Sequence, residues 1–90
     1  MIIGKVIGTV VSTRKNPNLT GSKFLIVEPM EGMASSDQRV VAVDNVGAGV
    51  GELVLVATGS AARVGTGNEN APVDALIVGI VDSADQIRLG

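Results

Sequence analysis

Cysteine, histidine, tryptophan and tyrosine are all missing from this chain, and Phe24 is its one aromatic residue. Without cysteine no disulfide can staple the fold, and without cysteine or histidine a zinc site has lost its usual ligands. The missing histidine also removes the commonest general base for activating a nucleophilic hydroxyl. Binding of single-stranded nucleic acid needs aromatic stacking in a basic groove, and a net charge of −2 with one phenylalanine supplies neither. Long hydrophobic runs are scarce too: the longest uncharged apolar stretch, from Leu53 to Ala62, falls far short of the roughly 20 residues that span a bilayer. Neither nucleic acid nor a membrane is expected as a partner, and no cofactor or metal is expected.

What is present is aliphatic and β-branched. Hydrophobic residues make up 46 % of the 90 residues, and 15 are valine and 7 isoleucine, a composition that favours pleated strands. One domain over residues 1–90 is expected at this length. A domain this small buries only about 60 to 65 % of the surface its unfolded chain exposes, so with no staple inside the chain oligomerisation is expected to supply stability. The opening Met1-Ile2-Ile3-Gly4-Lys5 runs straight into a strand pattern, without the basic start, apolar stretch and cleavage site of a signal peptide, and a cytoplasmic protein is expected. The sequon Asn18-Leu19-Thr20 then reads as coincidence.

Strands are expected from Ile2 to Thr13, Lys23 to Glu28, Arg39 to Asp44, Glu52 to Thr58 and Ala75 to Val81, with a short sixth at Gln86 to Leu89. Two glycines inside the first suggest a bend or a close backbone approach. Arg14-Lys15 reads as an exposed loop pair, and Ser60 as the cap of one helical turn. Together these segments predict an all-β fold, a small five-stranded Greek-key barrel with a short helical turn. The fourth and fifth strands are apolar on both faces, with Leu53, Leu55 and Ala57 opposite Val54 and Val56, and Leu76, Val78 and Ile80 opposite Ile77 and Val81. An antiparallel sheet normally keeps one face polar, so the second face is expected to be covered by another subunit.

Gly47-Ala48-Gly49-Val50-Gly51-Glu52 invites comparison with a dinucleotide fingerprint. The spacing fails, because Glu52 occupies the place of the third glycine and a strand rather than a helix follows. A tight turn remains. The acids Asp44, Glu52, Asp74, Asp82 and Asp85 sit at strand ends or turns and form neither an opposed acid and base nor an Asp-x-Asp-x-Asp cation loop. Catalytic, cofactor-binding and metal residues are therefore not assigned.

Four segments in order, Gly8-Thr9-Val10-Val11-Ser12-Thr13, Val43-Asp44-Asn45-Val46-Gly47-Ala48-Gly49-Val50-Gly51-Glu52, Gly59-Ser60-Ala61-Ala62-Arg63 and Pro72-Val73-Asp74-Ala75, give the chain a pattern that resembles the EutN/CcmL family of bacterial microcompartment vertex proteins. The resemblance implies an oligonucleotide-binding-like barrel that assembles into a cyclic pentamer, caps the vertices of a carboxysome or metabolosome shell, meets hexameric shell proteins and catalyses nothing. It also implies that Gly59, Ser60, Ala61, Ala62 and Arg63 lie near the ring axis or a subunit interface, and that Asp44, Asn45, Gly47, Ala48, Gly49, Gly51, Glu52 and Asp74 belong to interface turns. Arg63 would then line the axial opening or bridge to Asp44 or Glu52 of a neighbour, and would select anions only if its heads face the passage. The loops from Met30 to Gln38 and from Gly65 to Ala71 are candidates for contact with hexamers or cargo. Two other readings stay open: a barrel that binds a small molecule or a single-stranded nucleic acid on its own, and an enzyme of unassigned type.

Overall fold

Alternating valines and isoleucines build the walls of a closed barrel in the computed structural model, which describes residues 1–12, 16–19, 21–32, 38–67 and 72–90. Its strands are β1 (Ile2–Val10), β2 (Lys23–Pro29), β3 (Val40–Asp44), β4 (Leu53–Thr58) and β5 (Ala75–Val81), with one helix, α1 (Ser60–Gly65), between the last two. The barrel closes in the order β1-β2-β3-β5-β4. Every neighbouring pair is antiparallel except β3 and β5, whose parallel contact is made possible by β4 and α1 intervening in sequence. A three-stranded meander followed by a crossover is the expected Greek-key arrangement.

Inside the barrel, Val6, Leu25, Val27, Ala42, Ala48, Val54, Val56, Ala75 and Ile77 form one cluster, flanked by Ile2, Val40 and Ile80. Each buried valine or leucine contributes about 1.5–3 kcal/mol over leaving it exposed. A second cluster sits outside the wall, where Val43, Ala62, Val73 and Leu76 pack with Leu19 and Phe24. The sole aromatic residue thus serves this outer cluster.

The glycines of β1 behave as anticipated. A Cβ on Gly4 would stand 2.5 Å from Val27 Cγ1 and 2.8 Å from the Glu28 carbonyl oxygen, so close pairing with β2 requires glycine there. One-residue bulges bend two strands: Ile7 is extra between Val6 and Gly8 against β2, and Val78 is extra between Ile77 and Gly79 against β4. Bulges of this kind increase local twist and help close a small barrel.

Several expectations are corrected. β1 ends at Val10 instead of Thr13; residues 11–12 are not in a strand, and Thr13 lies outside the described residues. No sixth strand forms at Gln86 to Leu89. Instead a 3-10 turn covers Ala84–Gln86, and each barrel strand already has two neighbours, which leaves no free edge of full length. The helix is capped by Gly59, at φ 66 and ψ −143, with no side-chain cap bond, so Ser60 is its first residue and not its cap. That backbone conformation is open to glycine and strained for other residues.

The faces of β5 also differ from strict alternation. The Val78 bulge turns Ile80 toward the core and leaves Val81 opposite Leu53 on the outside. Nor is the outer face wholly bare. α1 packs on β4 and β5, and Ala57 and Leu76 are each only 3 % exposed in the subunit itself. Ile3, Leu53, Leu55 and Val81 remain a half-buried apolar strip beyond the helix's reach. Arg14-Lys15, Thr20 of the sequon, residues 33–37 of one candidate contact loop and 68–71 of the other lie outside the described residues.

Candidate functional site

Asp44, the last residue of β3, organises the turn that follows it. Its carboxylate is buried and accepts hydrogen bonds from the backbone N–H groups of Val46 (3.0 Å), Gly47 (3.2 Å) and Ala48 (2.9 Å). Lys23 Nζ stands 3.6 Å from Asp44 Oδ2 and donates to the Ala48 carbonyl at 3.4 Å. A carboxylate that collects several backbone donors substitutes for the helix or sheet ladder such a turn lacks.

The turn is fastened at three more points. Ala48 inserts into the core with 2 % exposure. Glu52 Oε1 accepts from Gly49 N at 2.6 Å, and the backbone of Gly51 and Glu52 exchanges hydrogen bonds with Val6 of β1 at 2.8 and 2.9 Å. Gly47 and Gly51 have φ of 88 and 93, the left-handed region that glycine enters without a Cβ penalty. What this rigid turn presents outward is apolar: Val46 and Val50 are 48 % and 63 % exposed. Neither valine is among the site residues expected from the sequence. Their signal was visible, however, since β-branched residues are uncommon choices for a solvated turn.

At the opposite end of β4, roughly 20 Å away for a six-residue strand, lies the second set. Gly59 N donates to the Asp74 carbonyl at 2.8 Å, which ties the start of α1 to the entry of β5. Ala62 is fully buried on the outer cluster, whereas Ser60, Ala61, Arg63 and Val64 face outward. The Arg63 guanidinium has no partner among the described residues.

The structure therefore divides the predicted residues into two groups. Asp44, Asn45, Gly47, Ala48, Gly49, Gly51 and Glu52 form one end, and Gly59, Ser60, Ala61, Ala62 and Arg63, joined by Asp74, form the other. Within one subunit Arg63 and Glu52 are kept apart by the length of β4. Asp44, with its side chain fully enclosed, is spent on its own turn.

Among the described residues no three acidic or other ligating side chains gather as a metal group, and no buried side-chain N or O lacks a hydrogen-bond partner. Two surface depressions are lined by described residues. One, bounded by Glu28, Pro29, Glu31, Gln38 and Arg39, contains an exposed ion pair between Arg39 Nε and Glu28 Oε2 at 3.2 Å. The other runs between β3 and the start of β5. No described helix is long and apolar enough to cross a membrane. The features that stand out are two rigid, outward-facing ends and an apolar strip between them, which suits binding to another protein surface.

Comparison with known proteins agrees. A model of the family described as ethanolamine utilisation protein EutN/carboxysome matches residues 1–82. The bacterial microcompartment shell vertex protein GrpN of Rhodospirillum rubrum is 49 % identical over 89 residues, covering 98 % of this chain and all of that protein. The carboxysome shell vertex protein CcmL of a Synechocystis species is 52 % identical over 86 residues, covering 94 % of this chain and 86 % of that one. Among solved structures, the GrpN pentameric microcompartment shell protein from Rhodospirillum rubrum superposes with a TM-score of 0.77 at 49 % identity, over 92 % of this chain and 95 % of that one. A matching five-stranded barrel, a family match across nearly the whole length and close identity to several members together establish that the chain belongs to the EutN/CcmL family.

Proposed function

We propose that this protein is a structural subunit that assembles into a pentameric ring and caps the vertices of a bacterial microcompartment shell, without catalytic activity of its own. The observation that carries the reading is the near full-length likeness, in sequence and in barrel, to the pentameric shell protein of Rhodospirillum rubrum. Microcompartment shells lie in the cytoplasm, and this is where the subunit works. Hexameric shell proteins are its partners at the ring's outer edge.

The geometry supports a ring in particular. A cyclic assembly repeats one heterologous contact, in which two different surfaces of the subunit meet. The turn around Glu52 and the start of α1 are two such surfaces, set at opposite ends of β4. Arg63, without a partner among the described residues of its own subunit, meets Glu52 of the adjacent copy, whose second carboxylate oxygen is free of the Gly49 bond. The strip of Ile3, Leu53, Leu55 and Val81 is buried alongside. Asp44 takes part indirectly, by holding the turn that presents Val46 and Val50.

Native mass spectrometry, with light scattering at several concentrations, tests the reading. A stable species of five subunits is expected, and a monomer throughout would refute it. Arg63→Ala is expected to loosen the ring while leaving the barrel folded; unchanged oligomer mass and thermal stability would remove Arg63 from the interface.

A further inference from the structure

Gln86-Ile87-Arg88-Leu89 has the alternation of a strand, yet the segment pairs with no strand among the described residues. After the turn at Ala84–Gln86, residues 87–90 have no regular structure, and Leu89 is 90 % exposed. They also lie past residue 82, where the family match stops.

A gap of complementary form exists elsewhere on the barrel. β3 meets β5 at Val43↔Leu76 and Asp44↔Ile77, so among the described residues Val40 and Val41 have no ladder partner on that side. There a groove of about 430 Å³ is lined by Val40, Val41, Thr58, Gly59, Asp74 and Ala75. Its volume falls within the range, about 300–1,000 Å³, of clefts that enclose small ligands. Val41 is 53 % exposed at its wall. Asp74 at its rim and Arg88 in the segment are both exposed and without an ion-pair partner among the described residues.

We propose that residues 87–90 of one subunit lie as an added strand in this groove of the neighbouring copy, with Leu89 against Val41 and Arg88 beside Asp74. Strand addition at an unpaired ladder draws affinity from main-chain hydrogen bonds and specificity from alternate side chains. The segment cannot serve its own groove. Ala75 and Val81, at the two ends of β5, are about 20 Å apart. Gln86 N donates to the Ser83 carbonyl, which closes residues 83–86 into a turn, and the four residues left reach about 13 Å at full extension. A second copy is therefore the occupant, and the charge pair sets the direction of the exchange. The inference rests on the ring-forming reading above, because each subunit must offer its segment to the next.

The absence of native cysteine makes a cross-linking test clean. In the full chain, the double variant Val41→Cys/Leu89→Cys is expected to form, on oxidation, a ladder of covalent species up to the native oligomer mass on a denaturing gel. Each single variant is expected to stop at dimers. Arg88→Glu is expected to weaken the ring several-fold on dilution, and Arg88→Glu combined with Asp74→Arg to recover most of that loss. Rings of full native mass that cross-link no further than the single variants would overturn the proposal and leave the ring reading intact. A monomer at every concentration would overturn both.

Discussion

Asp44 and Gly4 show how much one side chain, or the lack of one, decides here. Removing the Asp44 carboxylate would strand three backbone N–H groups, one of them buried, along with the Lys23 ammonium. Hydrogen bonds to a charged acceptor are worth about 1.5–3 kcal/mol each, and losing the common acceptor is expected to cost Asp44→Ala about 3 kcal/mol or more in chemical denaturation at fixed protein concentration. Lys23→Met should cost far less, about 0–1 kcal/mol, because the lysine side chain is 58 % exposed and its ion pair is screened by solvent. Equal losses from the two substitutions would mean that the ion pair, and not the backbone bonds, holds the turn. The glycines of β1 offer a similar contrast. Gly4→Ala forces a Cβ against the Glu28 backbone and is expected to lose about 1–3 kcal/mol. Gly8→Ala meets only Ile26 Cδ1 at 3.4 Å and should stay within about 0.5 kcal/mol of the parent. Thermal melts of the pair decide it.

Among the elements, α1 depends most on its surroundings. A six-residue helix is far below the length that is stable alone in water, about 12–15 residues, so burial of Ala62 on Val43, Val73 and Leu76 must hold it in place. Ala62→Leu adds bulk where there is no room and is expected to cost about 1–3 kcal/mol. Gly59→Ala, at a φ of 66, is expected to cost about 1–2 kcal/mol through the backbone alone. Hydrogen exchange would separate these effects from global unfolding: amides of residues 62–66 should lose protection before those of β2. The bulge at Val78 shows a limit of pattern reading. Sequence alternation gave β5 two apolar faces but assigned Ile80 to the wrong one, because an extra residue against β4 leaves no local signature in an all-apolar strand.

For the whole molecule, the apolar strip is the test of assembly. Leu55 is half-buried on the outer face and pairs with Gly79 and Ile3 rather than with the core. Leu55→Arg is expected to leave the barrel folded, with strand-rich circular dichroism, while shifting sedimentation from the ring toward monomers. Loss of the fold itself would mean that the strip stabilises the subunit and not the contact. An unchanged ring would place the interface elsewhere.

Composition and pattern by themselves pointed to the class of protein: abundant β-branched residues, with no histidine or cysteine and with Phe24 as the one aromatic, favour strands and leave neither the usual zinc ligands nor a stacking platform. They also located all five barrel strands to within a few residues, because period-two alternation and turn chemistry are local. Tertiary structure alone decided the rest. It enclosed Asp44 on its own turn, brought Asp74 to Gly59, separated Glu52 from Arg63 by the length of β4, and covered Ala57 and Leu76 with α1. It also left residues 87–90 without a strand to join among the described residues. Each of these outcomes depends on which strands become neighbours when the barrel closes, and that pairing is made between residues far apart in sequence, where no local pattern records it.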